Sequence, residues 1–188
     1  MDKSEEDAGT IQAVLDRLQK FRLPRALDIK KRVDAGETLN TNDMQFLKRV
    51  LEDTTSEQDL REAQERGRLW VALLKDEPVG FAHVLVLEAD HAHLEEIDVH
   101  PAHGRRRLGT RLVAAVCDWA AASGYESVTL TTFRDVTFNM PFYARLRFEV
   151  VPSVELSVAL RGIVADETRR GLDPATRVVM RRWCKSKL

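Results

Sequence analysis

The sequence predicts an α/β fold, and three observations carry that prediction. Apolar residues recur at helical spacing up to about residue 67. Beyond that point the pattern changes to short apolar runs separated by turns. Near the middle, a strand, a Gly- and Arg-rich turn, a helix and another strand succeed one another. That last unit needs a crossover, so its two strands are expected side by side and parallel.

Ile11, Val14, Leu15, Leu18 and Phe21 mark a first helix, which Pro24 interrupts; Leu27, Ile29 and Val33 continue less regularly to Gly36. Asn40, Thr41, Asn42 and Asp43 offer N-caps ahead of Phe46, Leu47, Val50 and Leu51. Ser56–Asp59 opens a further helix that Gly67 ends. Strands are then expected over Leu69–Leu74 and Val79–Leu87, with a turn at Asp76-Glu77-Pro78, and over His93–Val99. The helix from Gly109 to Ser123 carries Leu112, Val113, Val116, Cys117 and Ala120 on one face, and Gly124 closes it. Val128–Phe133 is a strand, Asn139–Leu146 a short helix, Phe148–Val151 a strand and Arg177–Arg181 the last strand. A helical insert around Leu156–Arg169 lies between those last two strands.

Composition narrows the function classes. The 188 residues, 44% hydrophobic, suffice for one soluble domain with a buried core. A formal net charge of −1 argues against bulk attraction to nucleic acid or membranes. The basic runs Arg105–Arg107 and Arg181–Lys187 lack the interleaved aromatics of a nucleic-acid surface. No apolar run has the length of a membrane span. The acidic start, Asp2 to Asp7, lacks an apolar signal region, so a cytoplasmic location is expected. Cys117 and Cys184 are the only cysteines, and Cys117 reads as a buried free thiol. His83, His91, His93 and His100 are too scattered for a metal site, and no metal is expected.

The turn Val99-His100-Pro101-Ala102-His103-Gly104-Arg105-Arg106-Arg107-Leu108-Gly109-Thr110 is the most informative stretch. A strand runs in and a helix runs out, so free backbone N–H groups and the positive end of a helix dipole face an anion. Three successive arginines suit more than one phosphate, because guanidinium binds phosphate oxygens bidentately. The same run also fits a solvated basic turn.

A second signal lies downstream of the turn, Asn139-Met140-Pro141-Phe142-Tyr143-Ala144-Arg145-Leu146-Arg147-Phe148. Strand, Arg/Gly turn, helix, strand and this segment, in that order, resemble the GNAT superfamily of acyl-CoA-dependent N-acyltransferases. The family's phosphate turn has the pattern [Q/R]-x-x-G-x-[G/A], and here aligns with Gly104–Gly109. The final glycine is kept, Gly104 replaces the first Gln/Arg and Arg107 replaces the middle glycine. Arg147 replaces the glycine of the family's closing Leu-Gly-Phe. The resemblance covers residues 60–183. It implies a mixed, mostly antiparallel sheet, flanked by helices, with a splayed parallel pair at the cofactor site. Residues 1–54 then form a helical N-terminal segment of uncertain role, and residues 55–188 the acyltransferase domain.

The resemblance also implies site residues. Backbone N–H groups of Arg105, Arg106, Arg107, Leu108, Gly109 and Thr110 would hold the pyrophosphate of acetyl-CoA, the co-substrate. The strand edge at Ile97, Asp98 and Val99 would pair with the pantetheine arm as an added strand does, and Asn139 and Phe142 would contact the cofactor. Tyr143 resembles the tyrosine that protonates the leaving sulfur; a packed helix tyrosine is the other reading. For the base, strand alternation places His93, Glu95, Ile97 and Val99 on one face and Leu94, Glu96 and Asp98 on the other. Glu95 is the first choice and His93 the second. Glu96 enters if a bulge shifts the register, and a water chain without a single base is open too.

The expected activity is transfer of an acetyl group from acetyl-CoA to a primary amine of a small molecule or peptide, by direct attack in a ternary complex. A catalytically degenerate CoA-binding or regulatory module is the alternative, motivated by the two arginine-for-glycine replacements. Glu155, Asp166 and Glu167 on the insert suggest a cationic acceptor, or else a solvated helix face. The sequence leaves a homodimer open.

Overall fold

The computed structural model describes residues 32, 36–38, 57–75, 77–136 and 139–184. The helices expected over residues 11–21, 27–33 and 43–51 lie outside these, apart from Arg32, as does nearly all of the 1–54 segment. Two compact units make up the chain, one of residues 1–62 and 73–78, the other of residues 63–72 and 79–188. In the first, Gly36 takes φ 81°, a left-handed conformation that suits glycine, and Arg32 Nε donates to Glu37 Oε2 at 2.8 Å.

Helix α1 (Glu57–Glu65) ends as its sequence predicts, with Gly67 at φ 65° and the Arg68 N–H bonded to Ala63 O at 2.7 Å. Strands β1 (Leu69–Leu74) and β2 (Glu77–Glu88) come after it. Glu77 and Pro78, expected in the turn, already belong to β2. Next come β3 (His91–Val99), α2 (Leu108–Ala122), β4 (Ser127–Phe133), α3 (Met140–Arg145) and the two-residue β5 (Glu149–Val150). The insert is α4 (Val158–Arg169), whose cap is Ser157: its hydroxyl accepts from the Leu160 N–H at 3.2 Å. Strand β6 (Arg177–Trp183) closes the described chain.

The six strands lie in the order β1-β2-β3-β4-β6-β5. Strands β2/β3, β4/β6 and β5/β6 run antiparallel, and β3/β4 is the parallel pair. This is the mixed, mostly antiparallel sheet with one parallel pair that the resemblance implies. Helix α2 is the crossover, and its face of Leu112, Val113, Val116, Cys117 and Ala120 is buried against Ala82, Val84, Ala92, Leu94, Val128 and Leu130. Each aliphatic side chain removed from water there contributes about 1.5–3 kcal/mol. The opposite sheet face takes α4, through Leu160 and Val164 packed with Val179 and Leu87.

Two features shape β3. Its parallel pairing with β4 covers His91↔Ser127, Ala92↔Val128 and His93↔Thr129 and then stops, so the strands diverge toward their C-terminal ends. Its antiparallel pairing with β2 runs His83↔Glu96 and then Val84↔Leu94, so Glu95 is an extra residue, a β-bulge. Beyond the bulge, Gly80 of β2 approaches so closely that a Cβ there would lie 2.7 Å from Asp98 O.

Candidate functional site

The bulge corrects the expected alternation. Leu94, Ile97 and Val99 face α2 and the core, while His93, Glu96 and Asp98 belong to the opposite face. A residue inserted at Glu95 turns the second half of the strand over, because side-chain direction alternates with period two. Ile97 and Val99 therefore do not share a face with His93.

The gap between β3 and β4 opens toward the turn at the N-terminus of α2. Within that turn, Arg105 and Arg107 take φ 59° and 61°, and Arg107 is the residue that caps the helix. The left-handed conformation costs a non-glycine residue about 1–2 kcal/mol. Arg107 thus adopts the backbone for which glycine is suited, and Arg147, at φ 66°, does the same at the other replaced glycine. The first helical bond runs from the Arg111 N–H to Arg107 O at 3.0 Å. The N–H groups of Leu108, Gly109 and Thr110 belong to the first turn, which has no intrahelical acceptor for them. Arg105 and Arg106 are exposed.

Helix α3 closes on the same place. A Cβ on Gly109 would lie 3.6 Å from Phe142 Cζ and 3.9 Å from Val99 Cγ2, so the end of β3, the start of α2 and α3 converge at one point. Tyr143 is half-buried and packs edge-on to Phe142 and Phe148, with ring centroids 5.0 and 5.8 Å away. Asn139 stands at the N-cap of α3, yet its side chain makes no capping bond. Its backbone carbonyl accepts from the Tyr143 N–H at 3.1 Å.

On the α4 face, His93 and Glu95 are brought together, with His93 Nε2 3.7 Å from Glu95 Oε2. The His93 side chain is only 1% exposed and that of Glu95 is 27%, so of the two only the carboxylate reaches solvent. Burial, helped by the Arg177 charge, pushes the His93 pKa down to about 3, and the ring stays neutral. Burial first, then the carboxylates of Glu167 and Glu96, push Glu95 above the ordinary carboxylate range.

Sequence reasoning missed the partners of this pair. His93 Nδ1 lies 2.9 Å from the Thr129 hydroxyl, which also donates to Ala92 O at 3.2 Å. The insert is fastened by a largely buried ion pair between Glu167 and Arg177. The Thr131 hydroxyl donates to Glu167 Oε1 at 2.6 Å and accepts from Arg177 at 2.9 Å. Arg177 also lies over the Phe133 ring, 4.5 Å from its centroid. These contacts span up to 46 residues, and no local pattern announces them. Glu167 and Asp166 are thereby paired, Asp166 with Arg169 and Arg170, so these two acids no longer argue for a cationic acceptor. Glu155 is exposed. Among the described residues, no group of His, Cys, Asp and Glu is arranged to hold a metal ion, and no helix is long and apolar enough to cross a membrane.

The model of the acetyltransferase (GNAT) family matches residues 37–148, more than half of the chain. The chain belongs to that family. The match begins at residue 37 and takes in β3, the arginine turn, α2, β4 and α3. A GNAT-family acetyltransferase from Staphylococcus aureus Mu50 has the same fold, with a TM-score of 0.57 at 14% identity over 98% of this chain and 96% of that one. The Rv2747 protein of Mycobacterium tuberculosis, solved in complex with CoA, gives 0.55 at 19% identity over 73% and 92%. The PaiA N-acetyltransferase of Thermoplasma acidophilum, solved with coenzyme A, gives 0.53 at 15% identity over 79% and 82%. At these identities the likeness is one of fold.

Proposed function

We propose that this GNAT acetyltransferase is an N-acetyltransferase that moves the acetyl group of acetyl-CoA to a primary amine of a small molecule or peptide, by direct attack in a ternary complex. The observation that carries the reading is the divergence of β3 and β4 beyond His93 and Thr129. It leaves one edge of β3 open in front of the N-terminus of α2, with the Glu95 carboxylate beside it. Coenzyme A bound in the solved PaiA and Rv2747 proteins supports the same co-substrate here.

In this reading the N–H groups of residues 105–110 hold the pyrophosphate, with Arg105, Arg106 and Arg107 adding charge. The open edge at Ile97, Asp98 and Val99 pairs with the pantetheine arm, and Asn139 and Phe142 flank it. Glu95 takes a proton from the acceptor ammonium, and the freed lone pair attacks the thioester carbonyl carbon. As the C–N bond forms and the C–S bond breaks, the Tyr143 phenol protonates the departing thiolate. The second amine proton leaves with solvent and restores the phenol.

The test is free-thiol release from acetyl-CoA across a panel of amines and peptides, with calorimetry of acetyl-CoA binding alongside. Tyr143→Phe is expected to cut turnover while leaving acetyl-CoA affinity within about twofold. Unchanged turnover would remove Tyr143 from the mechanism. Absence of acetyl-CoA binding at tens of micromolar would overturn the reading and favour a degenerate module.

A further inference from the structure

One arrangement of protons satisfies every partner in the buried contact between β3 and β4. The Thr129 hydroxyl has a single hydrogen and stands within reach of two groups, Ala92 O at 3.2 Å and His93 Nδ1 at 2.9 Å. A carbonyl only accepts, whereas an imidazole nitrogen can donate, so both contacts are satisfied together only when the hydroxyl proton goes to Ala92 O. Thr129 then accepts from His93, which requires the hydrogen on Nδ1. Thr129 is 1% exposed, as is His93, so no solvent competes for either contact. In that arrangement neutral His93 turns a bare Nε2 lone pair toward Glu95 Oε2, 3.7 Å away.

We infer that Thr129 fixes His93 as its Nδ1–H tautomer, and that His93 is a positioning residue whose Nε2 accepts a hydrogen bond from Glu95 whenever that carboxylate takes up a proton. The inference rests on the reading of Glu95 as proton acceptor. A carboxylate gains nothing from a lone pair, whereas a carboxyl group has a hydrogen to give it. His93 thus favours the protonated form of Glu95, which strengthens Glu95 as a base. No proton is transferred to His93: the ammonium N–H bond breaks, the Glu95 O–H bond forms, and that hydrogen bridges to Nε2. Release to water after product leaves restores the carboxylate. Burial and Arg177 keep the imidazole from charging, in accord with its role as acceptor alone.

Other charges face the pair without moving in this cycle. Glu96 lies on β3, Glu167 and Arg170 on α4, and Arg177 on β6. His83 pairs with Glu96 from β2, and Arg181 pairs with Thr129 from β6.

Two measurements on the full chain, neither needing the acceptor, test the inference. Imidazole 15N shifts are expected to show His93 protonated at Nδ1 and bare at Nε2 from pH 6 to 9. The Glu95 carboxyl 13C resonance is expected to titrate roughly one pH unit lower in Thr129→Val than in the wild type, as the ring is freed to donate from Nε2. Thr129→Ser, which keeps the hydroxyl, is expected to restore the wild-type titration. An Nε2–H tautomer in the wild type, or a Glu95 titration unmoved in Thr129→Val, overturns it. The wild-type tautomer decides the matter even if Thr129→Val fails to fold. The underlying reading fails separately, if Glu95→Gln turns over at the wild-type rate in the thiol assay.

Discussion

The two ends of the β3/β4 gap are built from different materials. The end at α2 is made of backbone: the N–H groups of a first helical turn, an open strand edge, and arginines held at positive φ. The end at Glu95 is made of side chains from β3, β4, α4 and β6 that touch one another in pairs. Backbone geometry survives replacement of side chains, and Arg107 and Arg147 show it by adopting glycine-like conformations without glycine. A side-chain network has no such tolerance. The first end therefore tolerates a change of side chain, and the second does not.

The comparison is broken most forcefully at Glu95. Glu95→Gln is expected to lower kcat by about 10²–10⁴-fold, the range of general-base catalysis, with acetyl-CoA affinity unchanged by calorimetry. The same variant is expected to be more heat-stable than the wild type at pH 8 and no more stable at pH 4. Its raised pKa means the fold disfavours the charged carboxylate, a penalty present above that pKa and absent below the usual value of 4.5.

Breaking the α4 clamp comes next. Arg177→Met leaves Glu167 buried without its partner and is expected to destabilise by about 3–5 kcal/mol in urea unfolding. Arg177→Met with Glu167→Gln should recover a good part of that loss. Equal losses in the single and double variants would mean that the pair does not act as a unit.

His93 sets a smaller effect with a defined pH window. Its folded pKa of about 3 lies below the ordinary 6.5, so stability is full above 6.5 and falls as pH drops toward 3. A loss on the order of a few kcal/mol is expected across that window, and His93→Gln should flatten the slope.

The smallest changes sharpen the backbone side. Arg107→Gly and Arg147→Gly are each expected to stabilise by about 1 kcal/mol through relief of left-handed strain. Arg107→Gly separates strain from charge: tighter acetyl-CoA binding would mean that backbone approach dominates at the turn, and weaker binding that the guanidinium does.

Much of the backbone side was legible in the sequence. The change from helical to strand period near Gly67, the apolar face of α2 and the order of turn, helix, strand and Asn139–Phe148 placed the elements to within a few residues. Such signals are local, and local periodicity reflects which side faces the core. The side-chain end was legible only as candidates. His93 and Glu95 could be named, but the bulge that sets their neighbours depends on how β2 pairs with β3. Thr129 meets His93 across 36 residues, and Glu167 meets Arg177 across a turn that gives no sign of the pairing. Counting acids on α4 pointed to a cationic acceptor because sequence shows charges and not their partners.

The open edge of β3 has a consequence for the life of the protein outside turnover. Beyond His93 the strand shows unpaired amide and carbonyl groups toward the gap, and such an edge is a template for any extended chain. A cofactor arm lying there would act as a removable seventh strand. Bound acetyl-CoA would then cover that edge, and the unloaded protein would be the more prone to stick to itself.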